Sequence, residues 1–173
     1  MRDAAVNAMN ARYKQRGVAA VEFALLAIPM ATMLFGITEF GRAAYTYDTL
    51  AKSVRTAARH LSSHNAGDLT AIGEAKCLAV YGNQGCSGAV LAPGLTTAMV
   101  DVCDATDASL CPGQPHASVP SCYAGTCTGV VNLVTVRITA YPFTSLAPFF
   151  VPNMNFGSTA SNTGIGVTMR QDL

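Results

Sequence analysis

The sequence predicts an α+β fold: one long N-terminal helix, first apolar and then amphipathic, followed by a small antiparallel sheet held by disulfides. Three observations carry this. An apolar run covers residues 18–37, broken by a single charge at Glu22, and a helical pattern continues past it to about residue 62. Two later segments, 129–141 and 164–170, alternate side chains with a period of two, as half-buried strands do. All six cysteines (Cys77, Cys86, Cys103, Cys111, Cys122 and Cys127) lie after the apolar run.

The elements divide the chain into three parts. Residues 1–17 read as a basic leader carrying Arg2, Arg12, Lys14 and Arg16. Residues 18–37 (VAAVEFALLAIPMATMLFGI) make 20 residues of apolar helix, about 30 Å at 1.5 Å per residue, the thickness of a hydrocarbon core. Basic residues on the N-terminal flank orient such a segment with its N-terminus in the cytoplasm and its C-terminal bulk exported. Pro29 removes a backbone donor near the middle and is expected to bend or locally open the helix.

The pattern continues beyond the membrane. Phe40, Ala44, Tyr47, Ala51, Val54, Ala58 and Leu61 recur at alternating steps of four and three, a seven-residue repeat of one narrow face. The other face carries Arg42, Asp48, Lys52, Arg55 and Arg59, with Asp48 four residues before Lys52 in the orientation that supports a helix. The whole reads as one helix over 18–62, about 65 Å long. The stripe is the natural surface for the sheet to cover, with helices of neighbouring subunits as the alternative occupants.

Residues 63–173 read as the exported, disulfide-rich α+β domain. Ser62, Ser63, Asn65 and Gly67 end the first helix. A second helix is expected from about Leu69 to Tyr81, with Asp68 as its N-cap. A Cys-, Gly- and Pro-rich stretch follows to about Gly129, with one strand over Thr96–Cys103. In the strand Gly129–Tyr141, Val134, Val136, Ile138 and Ala140 alternate with Thr135, Arg137, Thr139 and Tyr141, and Pro142 ends it. Residues 142–163 read as a long loop with an apolar patch, Phe149-Phe150-Val151. A last strand over Gly164–Arg170 puts Ile165, Val167 and Met169 on one face.

The same residues exclude several classes of function. Lys and Arg outnumber Asp and Glu by eight to four in residues 1–61 and are outnumbered three to six in the remainder, so no basic face for nucleic acid exists outside the leader and helix. No Cys-x-x-Cys occurs, and the three histidines (60, 64, 116) do not complete a zinc spacing. Asp101, Asp104 and Asp107 recur every third residue, unlike the alternate-residue spacing of a calcium loop, so no metal and no cofactor is expected. No Gly-x-Ser-x-Gly, His-Glu-x-x-His or convincing Ser/His/Asp set appears, so neither an enzyme nor a small-molecule substrate is expected. Six cysteines allow 15 pairings; sequential pairing is expected because each neighbouring pair spans a short turn-rich stretch. Disulfides persist outside the cytosol, in agreement with the topology drawn from charge.

The sharpest signal lies where leader meets apolar run. Gly17 follows a basic segment, and Glu22 stands five residues later inside the run, with Phe23 next to it. A carboxylate at bilayer depth is costly and usually marks function. A secretory signal peptide needs no such residue; this core is long for one, and Gly36-Ile-Thr-Glu39 is a poor cleavage context. Glu39 and Arg42, three apart on one helical face, read as an interfacial ion pair and as possible subunit contacts.

The stretch Gly17-Val-Ala-Ala-Val-Glu-Phe, then Pro29, Gly36-Ile-Thr-Glu39-Phe-Gly41-Arg42 and Ala57-Ala58-Arg59 resembles the TadE-like family. So does the ending, with Val134-Thr-Val-Arg-Ile-Thr-Ala-Tyr141 and a terminal strand closing on Met169-Arg170. The resemblance is specific over residues 16–60, weaker over 130–173 and absent from the cysteine-rich middle. It implies a pilin-like fold and a minor, pseudopilin component of the Tad (Flp, type IVc) pilus assembly machinery. It also implies cleavage by a membrane aspartyl prepilin peptidase between Gly17 and Val18. Flp-type sites carry an aromatic residue after the glutamate, and Phe23 fits. The expected setting is the bacterial inner membrane, single-pass, with a periplasmic C-terminal domain and incorporation into an extracellular pilus as a further step. Expected partners are the peptidase, other pilin-like subunits and the Tad secretion machinery. The alternative is an unprocessed bitopic protein whose exported domain is a binding module.

Overall fold

The first helix, α1, runs from Arg2 to Ser62 in the computed structural model, which describes residues 2–149, 151–157 and 164–171. The helix therefore starts well before residue 18, the first residue of the expected helix. The leader explains this: it is rich in Ala, Arg, Met, Lys and Gln, strong helix formers, and holds no Gly or Pro before Gly17. The helix also continues unbroken through Pro29.

Beyond the apolar run, α1 becomes the spine of the domain. Its buried positions are Glu39, Ala43, Thr46, Leu50, Val54, Ala57 and Leu61, joined by Ser53 and Ala58. This differs from the seven-residue stripe. The two series meet at Val54 and Leu61, but toward the apolar run Phe40, Ala44 and Tyr47 face outward, Phe40 at 76% exposure. The cause is helical period. The stripe spans 21 residues in six steps (40 to 61), as a supercoiled seam would, whereas the buried series spans 22 (39 to 61), as a straight helix requires. Polar residues fill the buried side at little cost because they bond locally. Thr46 Oγ1 donates to Arg42 O at 2.9 Å and Ser53 Oγ to Leu50 O at 2.9 Å.

Helix α2, Leu69–Tyr81, packs against α1. Asp68 caps it: Oδ1 accepts from the N–H of Thr70 at 2.9 Å and of Ala71 at 3.2 Å. Gly82 closes the other end at φ 74°, a left-handed conformation that glycine takes without a Cβ penalty. Alanines Ala71, Ala75 and Ala79 of α2 and Ala57 and Ala58 of α1 are buried in the same core, small side chains that suit close packing of helices. His60 and Glu74 join the helices at 3.0 Å.

Six strands follow: β1 Val100–Cys103, β2 Val119–Tyr123, β3 Thr126–Ile138, β4 Tyr141–Phe143, β5 Met154–Phe156 and β6 Ile165–Gln171. All pairings are antiparallel. The long strand β3 organises the main sheet. Its first half pairs with β2, and its second half pairs with both β1 and β6. α1 covers one face, over Val134, Val136 and Ile138, all fully buried. The other face is covered as well. His116 meets Thr135 Oγ1 at 2.9 Å, and Arg137 pairs with Asp101 at 3.2 Å and donates to Leu110 O. Register places Gly166 opposite Arg137, where an added Cβ would lie 2.8 Å from the Arg137 Cβ, so the close strand approach needs glycine.

The sheet departs from the sequence expectations in four places. A single 3-10 turn, Thr97–Met99, takes the first half of the expected strand 96–103. β3 begins at Thr126 and ends at Ile138, because Ala140 adopts φ 54° and breaks the run before Pro142. β2 lies inside the cysteine-rich stretch. The expected loop 142–163 contains the β4–β5 ribbon, and Phe150 of its apolar patch lies outside the described residues.

Three disulfides join neighbours in sequence: Cys77–Cys86, Cys103–Cys111 and Cys122–Cys127. The first ties α2 to the turn after it, the second closes the loop after β1, and the third links the paired residues flanking the β2–β3 turn. Asp104 organises the loop after β1. Burial disfavours its charge, but bonds from the Thr106 side chain and the Asp107, Gly67 and Thr106 amides outweigh that and hold its carboxyl below the ordinary range. At the end of β6, Gln171 Nε2 donates to Leu61 O at 3.4 Å and His64 O at 2.8 Å, tying the last strand to the end of α1 and the turn after it.

Candidate functional site

The residues singled out by sequence fall on two stretches of one helix. Gly17, Val18, Glu22 and Phe23 lie on consecutive turns of α1, and all are exposed. No atom stands within 4 Å of where a Cβ on Gly17 would sit. Val18 and Glu22 are four residues apart and so lie one above the other on one face. From Val18 to Ile37 the large apolar side chains project away from the rest of the molecule, with exposures of 50–73%. Among the described residues, one helix, Gly17–Ser62, is long and apolar enough to cross a membrane. Its outward-facing side chains suit lipid rather than water. Within the run, Thr32 Oγ1 donates to Ile28 O at 2.9 Å and Thr38 Oγ1 to Leu34 O at 2.8 Å, so these hydroxyls are satisfied without water.

The second stretch begins where the apolar run ends. Glu39 is buried to 3% exposure, two residues past Ile37. Its Oε2 accepts from Arg42 Nη2 at 2.9 Å and from the Leu146 N–H at 3.3 Å. Arg42 also donates to Thr144 O and stacks over the Phe143 ring at 4.4 Å. Within its own chain the pair clamps the loop joining β4 to β5 onto α1. The loop has its own internal ties, since the Ser145 N–H donates to Asn153 Oδ1 at 2.9 Å and the Val151 N–H to Ala147 O at 3.0 Å. The spacing of three finds the ion pair; nothing near Glu39 in sequence points to Leu146.

Arg42's hydrogen bond, aided by bonds from Ser145 and Leu146, outweighs desolvation and holds the Glu39 carboxyl below the usual carboxylate range. The folded-state pKa thus lies below the unfolded one. The clamp is fully present above the ordinary carboxylate pKa and is lost as pH falls through the lowered value. Glu39→Ala is expected to raise amide exchange at Leu146 roughly tenfold at neutral pH, the scale of one lost charge-assisted bond. Wild type should approach the same protection factor only in strong acid, and exchange measured by mass spectrometry checks both.

The six cysteines all lie between residues 77 and 127, outside both stretches, and all are disulfide-bonded. Among the described residues no set of three or more His, Cys, Asp or Glu is placed to hold a metal ion. Asp101, Asp104 and Asp107 are instead engaged by Arg137, by loop amides and by Ser109.

A family model described as TadE-like protein matches residues 17–59. The match begins at Gly17, takes in Val18, Glu22, Phe23, Glu39 and Arg42, and ends before the first cysteine. It associates this helix with components of the Tad pilus system. No curated protein and no solved structure matches the chain.

Proposed function

We propose that this chain is a minor, pilin-like structural component of Tad pilus biogenesis, cut after Gly17 by a membrane aspartyl prepilin peptidase. The observation that carries the reading is the single carboxylate of the apolar run. Glu22 stands five residues after a glycine that closes a basic leader, in the segment where the family match begins. Nothing in a plain anchor requires a charge there, and its membrane cost argues for a partner in another state of the protein.

In this reading residues 1–17 are a cytoplasmic leader, α1 from Val18 holds the subunit in the bacterial inner membrane, and residues 63–173 form its periplasmic domain. The role is structural rather than catalytic. The partners are the peptidase, neighbouring pilin-like subunits and the Tad secretion machinery, and the subunit's onward destination is the extracellular pilus. Outward-facing Phe40 and Ala44 leave one side of α1 available to neighbours above the membrane. Co-expression with a prepilin peptidase tests the reading: a chain shortened to start at Val18 supports it. A chain still starting at Met1 favours a permanent anchor bearing a binding domain.

A further inference from the structure

We propose that the loop joining β4 to β5 seats its tip in the interfacial layer of the bilayer beside its own membrane helix, with Leu146 and Phe149 as the inserting side chains. The inference rests on α1 crossing a bilayer and is independent of cleavage at Gly17.

Three contacts trace the β4–β5 ribbon down α1 toward the apolar run. At its base, the Phe156 ring meets Tyr47, with centroids 5.9 Å apart. Further down, Phe143 lies under the Arg42 guanidinium at 4.4 Å. At its tip, the Leu146 N–H reaches Glu39 at 3.3 Å. From Tyr47 to Glu39 the helix descends about 12 Å, and Glu39 stands only about 3 Å above Ile37. The interfacial layer on each side of a hydrocarbon core is about 5–7 Å thick, so the tip sits at its level.

The composition of the loop suits that place. Leu146 is 78% exposed and Phe149 91%, though both are large and apolar. No Asp, Glu, Lys or Arg occurs from residue 138 to 169, the segment containing the whole ribbon. Glu39 of α1, the carboxylate that meets the tip, is paired with Arg42 and buried. An uncharged tip with apolar side chains, continuous with the lipid-facing surface of α1, fits a lipid interface. It carries no charge to select anionic headgroups. The Glu39–Arg42 pair then acts as a bracket that sets the loop's height and the tilt of the domain on the membrane.

The chain contains no tryptophan, so each introduced Trp is the only indole reporter. The full chain is reconstituted in phosphatidylcholine vesicles brominated either high or deep on the acyl chain, and three single variants are compared. Phe149→Trp reports the loop. Tyr123→Trp, at an 89% exposed site beside the β2–β3 turn, reports water. Ile28→Trp reports the hydrocarbon core. Phe149→Trp is expected to emit at shorter wavelength than Tyr123→Trp, to lose emission to the shallow bromines and to resist aqueous iodide. Added anionic lipid should leave this unchanged. Emission and iodide quenching equal to those of Tyr123→Trp overturn the proposal. Shielding from iodide without bromine quenching also overturns it, assigning the tip to a second copy or another protein surface. If Ile28→Trp escapes the deep bromines, the membrane-spanning premise itself fails; if Ile28→Trp is quenched by them while Phe149→Trp escapes the shallow ones, the loop inference fails alone.

Discussion

Gly17→Leu is expected to leave the chain uncut when it is co-expressed with a prepilin peptidase, and Gly17→Ala to slow cutting about fivefold. The physical reason lies in α1, which is helical straight through the bond between Gly17 and Val18. A peptide bond inside a hydrogen-bonded helix must be freed by local opening before a peptidase can engage it, and cleavage follows the open population. Glycine makes that opening cheaper by about 1 kcal/mol relative to alanine, which sets the Ala effect. Leucine adds bulk at the residue preceding the cut. Neither change should disturb the subunit, because nothing lies within 4 Å of the new Cβ. Membrane insertion and disulfide content should therefore stay at wild-type levels, isolating the effect to processing. Mass spectrometry of the membrane fraction reads the ratio of cut to uncut chain.

Glu22→Gln should separate processing from assembly. Removing the charge eases residence in the bilayer, by an amount below the roughly 2.5–3.5 kcal/mol quoted for a charged residue at mid-membrane, since Glu22 lies near one end of the run. If the carboxylate served only as an accident of sequence, the variant would be unchanged or better. The proposed role is charge compensation. Cutting after Gly17 creates an amine on Val18, and Glu22 lies one turn above it on the same face, with its side chain leaning back toward the N-terminus. As the subunit leaves the membrane to pack with others, an amine of its own or of a neighbour finds its counter-charge there. Glu22→Gln is therefore expected to be cut like wild type, to remain in the membrane and to disappear from material sheared off cells. Recovery of the variant in that material at wild-type levels would contradict the pairing.

Much of the helical part was legible because its signals are local. Asp68 two residues before Thr70 and three before Ala71 is a cap visible in sequence, and the 20-residue apolar run needs only counting. The orientation of the spine was less so. A seven-residue repeat and a straight-helix repeat coincide at Val54 and Leu61 and diverge by one residue toward Glu39, so the stripe pointed at Phe40 where the domain buries Glu39. Polar Glu39, Thr46 and Ser53 hide that face from an apolar pattern. The sheet was partly visible: β3 and β6 alternate clearly, whereas β2 holds Pro120 and Cys122, and β4 is three residues long with Pro142 at its centre. Such strands exist because a partner fixes them. The clamp from Glu39 to Leu146 spans 107 residues, and no local spacing encodes it.

The intact mass and N-terminal sequence of the protein, expressed with and without a prepilin peptidase, test the central claim most directly. The account predicts a chain beginning at Val18 that forms only with the peptidase, and a Met1 chain without it. A Met1 start under both conditions would contradict it.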